Sequence, residues 1–433
     1  MPGPRAGSPY RSYVYAYPHK TAYRPLEPAV PLAEAWRDER KDALFLYVHV
    51  PFCEMRCGFC NLFTTPTPKT DLVAAWTEAL LRQARAVRHA LGDARFARFA
   101  MGGGTPTLLS AAGLATLLDA LATLTGVDLA RVPASVEVSP ETLDREKLTV
   151  LRARGVDRIS MGVQSFVEAE SRAAGRPQST AEVEAGLDAV RSLGFPTLNV
   201  DLIYGLPGQT VESFLRSLRA ALSFRPEELY LYPLYVRPLT GLGRASRSWD
   251  DERLALYRAG RDFLRDAGYL QSSMRMFRAA HAPSADGPVY CVQDDGMVGL
   301  GVGARSYTRA LHYGTDYAVG AAAVRDIVAA WVDRAPFTHA ERGFVLDLDE
   351  QRRRWVELTL LAEGVDRAAY RARFGTDVLA DLPELATLVD DGLAQVDDAH
   401  LVLTDAGLER SDAIGPWLFS DAVRARMDEW QAR

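Results

Sequence analysis

Between residues 44 and 267, short runs rich in β-branched and aromatic side chains alternate six times with longer Ala-, Leu- and Arg-rich stretches. The strand candidates are Leu44–Val50, Arg95–Met101, Ser135–Val138, Arg158–Val163, Thr197–Ile203 and Leu229–Tyr235. The helix candidates are Leu72–Leu91, Ala111–Leu124, Arg145–Arg154, Ala181–Leu193, Val211–Leu222 and Glu252–Ala267. Alternation this regular leaves few folds open. Parallel strands need crossover connections, and helical crossovers cover the faces of a single parallel sheet. The expected fold class is α/β, a partial (β/α)6 barrel of the TIM type, whose active face is built by the loops after the strands.

The flanks read differently. Residues 1–42 are rich in Tyr and Pro (Tyr10, Tyr13, Tyr15, Tyr17 and Tyr23; Pro18, Pro25, Pro28 and Pro31). Such dense prolines prevent a regular helix, while so many aromatics do not suit a disordered tail. An extended N-terminal arm lying on the body is expected. Residues 43–310 read as the barrel with a substrate-pocket segment. Residues 311–433 read as a mostly helical C-terminal cap with a small β wing at Leu393–Leu403. Within the cap, Asp347 and Asp349 read as a helix lead-in and Arg352–Arg354 as a solvated helix face.

Composition narrows the function. The chain is 48% apolar and 24% charged, with a formal net charge of −6. A nucleic-acid surface usually shows as a basic excess, so no nucleic-acid partner is expected. No apolar stretch approaches the roughly 20 residues that span a bilayer, and no signal-peptide core follows Met1–Arg11. The expectation is a cytoplasmic protein without a membrane partner. Of four cysteines, three fall between residues 53 and 60. A disulfide scaffold would scatter them, so the cluster points to a metal group in a reducing compartment.

Cys53, Cys57 and Cys60 follow the first strand at C-x3-C-x2-C spacing. A structural zinc takes four ligands, and Asn61 and Leu62 supply none. Three thiolates on a [4Fe–4S] cluster instead leave one iron open to the amino and carboxylate groups of S-adenosylmethionine. Reductive cleavage of that molecule yields a 5′-deoxyadenosyl radical. Zinc is the alternative that the spacing leaves. Cys291 reads as a small buried residue rather than a fourth ligand. The other unusual residues also gather at strand ends: Gly102–Thr105, Glu137, Gln164 and Asp201.

Five motifs in order carry a resemblance. They are Tyr47-Val-His-Val-Pro-Phe-Cys53, Gly102-Gly-Gly-Thr-Pro-Thr107, Ser135-Val-Glu-Val-Ser-Pro140, Arg158-Ile-Ser-Met-Gly-Val-Gln-Ser-Phe166 and Asn199-Val-Asp-Leu-Ile-Tyr-Gly-Leu-Pro207. From about residue 43 to 310 the chain resembles the oxygen-independent coproporphyrinogen III oxidase family of radical S-adenosylmethionine enzymes; the cap resembles it more loosely. The resemblance implies oxidative decarboxylation of a tetrapyrrole-like small molecule or a related biosynthetic intermediate. It also implies one or two S-adenosylmethionine molecules and an electron donor such as flavodoxin or ferredoxin. Gly103 and Gly104 would open backbone groups to the methionine end, with the Thr105 hydroxyl beside them. Glu137 and Asp201 would take ribose hydroxyls or the ammonium group, and Gln164 the same sugar. Arg176 would pair with the methionine carboxylate, Tyr47 would pack beside the sulfonium, and Phe59 would contact adenine.

Each of these residues has a plainer reading. Strand carboxylates such as Glu137 and Asp201 serve as structural acceptors, loop arginines are often solvated, and His49 reads as a satisfied core histidine. Gly299-Leu-Gly301-Val-Gly303-Ala304 fits the dinucleotide fingerprint as a string, but no strand–helix unit is expected around it. The same scaffold also hosts haem delivery and radical C-methylation or cyclopropanation with two S-adenosylmethionine molecules. Leu62 stands where the oxidases typically carry a further cysteine. Cys291-Val-Gln-Asp-Asp-Gly-Met-Val298 lacks the Tyr-Trp typical of the haem chaperones. The Tyr-rich arm resembles the oxidase arm in kind, though its wording is its own.

Overall fold

The computed structural model describes residues 3–66, 68–236, 240, 242, 250–283 and 296–431. Thirteen strands form one sheet. In chain order they are β1 (Arg24–Pro31), β2 (Leu44–Val50), β3 (Phe96–Gly103), β4 (Ala134–Val138), β5 (Arg158–Gln164), β6 (Thr197–Tyr204) and β7 (Glu228–Pro233). The remainder are β8 (Tyr269–Gln271), β9 (Met276–Ala279), β10 (Met297–Leu300), β11 (Arg305–Tyr307), β12 (Leu311–Gly314) and β13 (His339–Val345). Their spatial order is β1-β13-β12-β11-β10-β2-β3-β4-β5-β6-β7-β9-β8. From β10 to β7 every neighbouring pair is parallel. Both flanks are antiparallel. The six expected strands thus lie side by side in chain order, as an open barrel with β2 and β7 unpaired to each other.

Local chemistry explains the elements. In β2, Leu44, Leu46, Val48 and Val50 are fully buried while Phe45 and Tyr47 are only half-buried, the two-residue period of a strand. The crossovers are α1 (Thr70–Leu91), α2 (Ala111–Thr125), α3 (Arg145–Ala153), α4 (Thr180–Ser192) and α5 (Val211–Ser223), with α6 (Asp250–Asp266) after β7. Ser110, Asp144, Ser179 and Thr210 each accept from a backbone N–H in the first turn that they cap. Each cap stabilises its helix start by about 1 kcal/mol. One large core runs under the sheet, and the cap has its own, built on Val356, Leu360, Tyr370, Leu385 and Leu401.

Four expectations need correction. The arm is not only an appendage, because β1 pairs with β13 and completes one edge of the sheet. Residues 311–345 were expected in the cap, yet β12 and β13 belong to the sheet; only after Val345 does the chain turn into α8 (Leu348–Leu360). Between them lies α7 (Ala321–Val332). The Gly299 run does follow a strand: β10 is a parallel neighbour of β2 within the barrel sheet. Its glycines then turn into the antiparallel β11 rather than a helix, so no dinucleotide site forms. Finally, Arg354 is not solvated. It is wholly buried, and its Nη1 donates to Thr308 O at 3.1 Å and to His312 Nε2 at 2.9 Å. Asp347 does cap α8, accepting from Glu350 N. Cys291 lies outside the described residues.

Candidate active site

The C-terminal ends of β2 to β6 open into a cavity of about 530 Å³. Parallel pairing sets this convergence. The register places His49 beside Gly102, Val50 beside Gly103, Glu137 beside Ser160, and Gly162 beside Asp201. Of the residues expected to hold the cluster or S-adenosylmethionine, all line the cavity except Tyr47. The Tyr47 hydroxyl lies 3.2 Å from His49 Nδ1 and the ring packs towards Ala16, Met297 and Tyr307. Tyr47 shares a strand face with His49, and burial followed by the Glu137 carboxylate raises its phenol, so it lies on the barrel-interior side next to the cavity without lining it. His49 is 6% exposed, its other ring nitrogen 2.9 Å from Phe63 O. Burial lowers its pKa to about 4, which keeps it neutral.

The cysteine loop is held from two sides. Gly58 N donates to Ala174 O at 3.0 Å, and Leu242 N donates to Gly58 O at 2.8 Å. Behind it, Gly104 N donates to Val50 O at 2.6 Å and Thr105 N to Phe52 O at 2.7 Å. A Cβ on Gly104 would stand 2.3 Å from Phe52 O, so only glycine allows the two backbones to approach this closely. All three thiols are free and half-buried. Burial pushes the Cys53 thiol up to about 12 and also raises Cys57, against the pull of the Arg176 guanidinium. Neighbouring thiols add to the shift. Buried thiols that oppose one another's ionisation suit a cationic metal group, which deprotonates its thiol ligands outright. Among the described residues no three His, Cys, Asp or Glu side chains converge on one ion. Three thiols lining one cavity suit a cluster with one open iron, whereas a structural zinc takes four ligands.

Arg176 is 8% exposed and heavily engaged. Its Nε donates to Gln178 Oε1 at 2.8 Å, its Nη2 to Gly162 O at 2.9 Å and Ser139 Oγ at 3.0 Å, and its Nη1 lies 3.5 Å from Cys57 Sγ. Opposite, Glu137 accepts from Gly103 N at 2.8 Å, and Asp201 accepts from Asn199 Nδ2 at 2.8 Å. Burial raises both carboxyls, Asp201 to about 7, with Asn199 and Arg158 resisting and Glu137 adding to the shift. Gln164 sits at φ 68, where the β5–β6 register slips. A non-glycine residue there costs about 1–2 kcal/mol, and such a bulge re-aims a side chain, here into the cavity.

Sequence reading overlooked Ser139, Glu141 and Glu182 on the cavity wall, and Asn199 and Ser160 around Asp201. The strand period carried a signal for Asn199, which shares a face with Asp201 two residues on.

The raised Asp201 carboxyl has a checkable consequence. In the unfolded chain it ionises near 4, in the folded chain near 7. Between those values the unfolded state holds fewer protons, so the protein without its cofactors loses stability as pH rises. Asp201→Asn stays neutral throughout. In urea unfolding, its stability relative to the parent is expected to rise by about 2–4 kcal/mol from pH 4 to pH 7.5. A difference that stays flat would show that Asp201 ionises normally.

Comparison with known proteins agrees with this architecture. The Radical SAM superfamily matches residues 47–221, and the HemN C-terminal domain matches residues 346–409. An oxygen-independent coproporphyrinogen III oxidase of Pseudomonas aeruginosa is 28% identical over 437 residues, covering 94% of this chain and 91% of that protein. One from Cereibacter sphaeroides is 31% identical over 348 residues, covering 77% and 76%. A haem chaperone of Bacillus subtilis is 27% identical, covering 83% and 95%. The crystal structure of Escherichia coli coproporphyrinogen III oxidase (HemN), a radical SAM enzyme, superposes with a TM-score of 0.77 at 25% identity, covering 93% and 96%.

Proposed function

Because this chain belongs to the oxygen-independent coproporphyrinogen III oxidase family of radical SAM enzymes, we propose that Cys53, Cys57 and Cys60 hold its [4Fe–4S] cluster and that the adjoining cavity takes S-adenosylmethionine. The observation that carries this reading is the convergence of three thiols and the strand-end polar groups on one cavity. When bound, the cluster supplies the electron that cleaves S-adenosylmethionine to methionine and a 5′-deoxyadenosyl radical.

The chain's own residues then divide the work. Arg176, fixed by Gln178 and Gly162, keeps a positive charge against Cys57 and favours its thiolate. Pairing with the methionine carboxylate would use the side of the guanidinium that now meets Ser139 and Glu141. Glu137 and Asp201 present acceptors to ribose hydroxyls or an ammonium group. Gln164 reaches the same sugar, and Phe59, packed on Ala174, Ile203 and Leu206, borders the adenine. Tyr47 steadies His49 from the same strand face.

The reaction this supports is oxidative decarboxylation of coproporphyrinogen III or a related porphyrinogen; the relatives are named oxygen-independent coproporphyrinogen III oxidases. Electrons would come from a flavodoxin- or ferredoxin-like donor in the cytoplasm. No helix among the described residues is long and apolar enough to cross a membrane. Anaerobic reconstitution with coproporphyrinogen III, S-adenosylmethionine, a reductant and an electron acceptor is expected to give 5′-deoxyadenosine and a product lighter by carbon dioxide and two hydrogens per propionate, one hydrogen passing to the 5′-deoxyadenosyl radical and the other leaving as a proton and an electron. Formation of 5′-deoxyadenosine with unchanged porphyrinogen would overturn the substrate. S-adenosylhomocysteine beside it would indicate methyl transfer, and a Soret band on adding haem, with little cleavage, would indicate a carrier.

A further inference from the structure

The arm lays several tyrosines against arginines, and one of these sites lacks something. Arg275 stacks 3.9 Å from the Tyr13 ring and pairs with Asp412, so its charge is balanced. Arg305 and Lys20 do not share that arrangement. Arg305, the first residue of β11, lies 4.8 Å over the Tyr15 ring, and its Nη1 donates to the Tyr15 hydroxyl at 3.2 Å. Lys20 approaches the same ring at 5.9 Å and rests 3.7 Å from the centre of Tyr317. The Tyr317 hydroxyl donates to Asn61 O at 2.8 Å, one residue beyond Cys60. Two cations thus flank one phenol beside the cysteine loop. Among the described residues neither forms an ion pair with a carboxylate, and each is half-buried.

Cations enclosed without an acid are costly unless an anion joins them. The neighbouring groups register the excess positive field. Burial lowers the Lys20 ammonium's affinity for its proton and Arg305 lowers it further. Burial alone would raise the Tyr15 phenol, yet Arg305 and Lys20 overcome this and bring it down to about 8. A phenol is the weakest acid able to answer two cations, and a carboxylate would answer them far better, accepting from a guanidinium on one side and an ammonium on the other.

We propose that Lys20 and Arg305 form a subsite for a carboxylate of the substrate, beside the cysteine loop and roofed by Tyr15. This rests on the reading of the neighbouring cavity as the S-adenosylmethionine site. Lys20 comes from the arm and Arg305 from the sheet, so a bound acid would also pin the arm in place.

The test titrates reconstituted holoenzyme with coproporphyrin III, read by tryptophan quenching. Lys20→Met and Arg305→Gln are each expected to weaken binding about tenfold or more, and Lys20→Arg to stay within about threefold of the parent. Equal affinity in the parent and both neutral variants would overturn the subsite while leaving the tetrapyrrole reading intact. Absence of binding to the parent would instead overturn the tetrapyrrole reading, and glutarate then decides the subsite. Protection of Lys20 by glutarate against reductive methylation of the unaltered protein, read by mass spectrometry, supports it. No protection at saturating glutarate refutes it, and this arm needs no variant to fold.

Discussion

Cys57→Ser is expected to abolish the iron–sulfur absorption of the reconstituted protein and to lower 5′-deoxyadenosine formation by more than about a hundredfold. That margin is the most that losing a merely supporting hydrogen bond costs a metal site. Cys57 faces the cavity between Cys53 and Cys60 and is the thiol nearest the Arg176 guanidinium, at 3.5 Å. A serine hydroxyl in the same place stays protonated, because it is intrinsically a far weaker acid than the thiol that Arg176 helps to ionise. Arg176→Met makes the contrast. It leaves three thiols in place and is expected to slow nucleoside formation by about 10- to 100-fold while iron still binds. Iron content and absorption unchanged in Cys57→Ser would remove the cysteine loop from the chemistry altogether.

Gly104→Ala is the second large effect, and it acts through backbone. The added methyl would stand 2.3 Å from Phe52 O and 2.8 Å from Val50 O. Those carbonyls cannot simply withdraw, because they accept from Thr105 N and Gly104 N. Relief therefore means moving Phe52, and Cys53 with it. A loss of about 3 kcal/mol or more is expected, with poor iron incorporation even at high iron. Gly194→Ala is the control. Gly194, unlike Gly104, has positive φ, at 64°, but a methyl there meets nothing within 4 Å, so a loss of only about 1 kcal/mol is expected. Equal losses in the two variants, measured by urea unfolding, would show that the close approach to Phe52 O carries no cost of its own.

How much of this was legible beforehand depends on how local each feature is. The six parallel strands and their helices follow from periodicity along the chain, and the cavity follows from parallel pairing, which brings every strand end to one face. Arg354 shows where such reading stops. Glu350, Arg354 and Glu357 share the helical spacing of a buried stripe, and all three are buried, but the stripe is charged and so looks like a solvent face. The β10 strand failed for a related reason: four residues flanked by glycines are too short for a periodic signal. Lys20 and Arg305 were invisible on a third ground. They lie far apart in sequence and meet through Tyr15, a contact that no local pattern encodes.

The pairing of β1 with β13 fixes an order of assembly as well as an edge. Its partners, such as Val30 and Ala340, are separated by almost the whole length of the sheet-forming chain. Contacts of such long sequence separation close late, both in refolding and during synthesis. Every residue proposed to meet the cluster or S-adenosylmethionine has emerged by Asp201, whereas the strand that anchors the arm is made only near residue 339. Until then Arg24–Pro31 is an unpaired strand, and its three prolines, Pro25, Pro28 and Pro31, deny a stray neighbour the N–H groups it would need. The nascent cysteine loop thus stands open to solvent, and to iron, before its cover can be fastened.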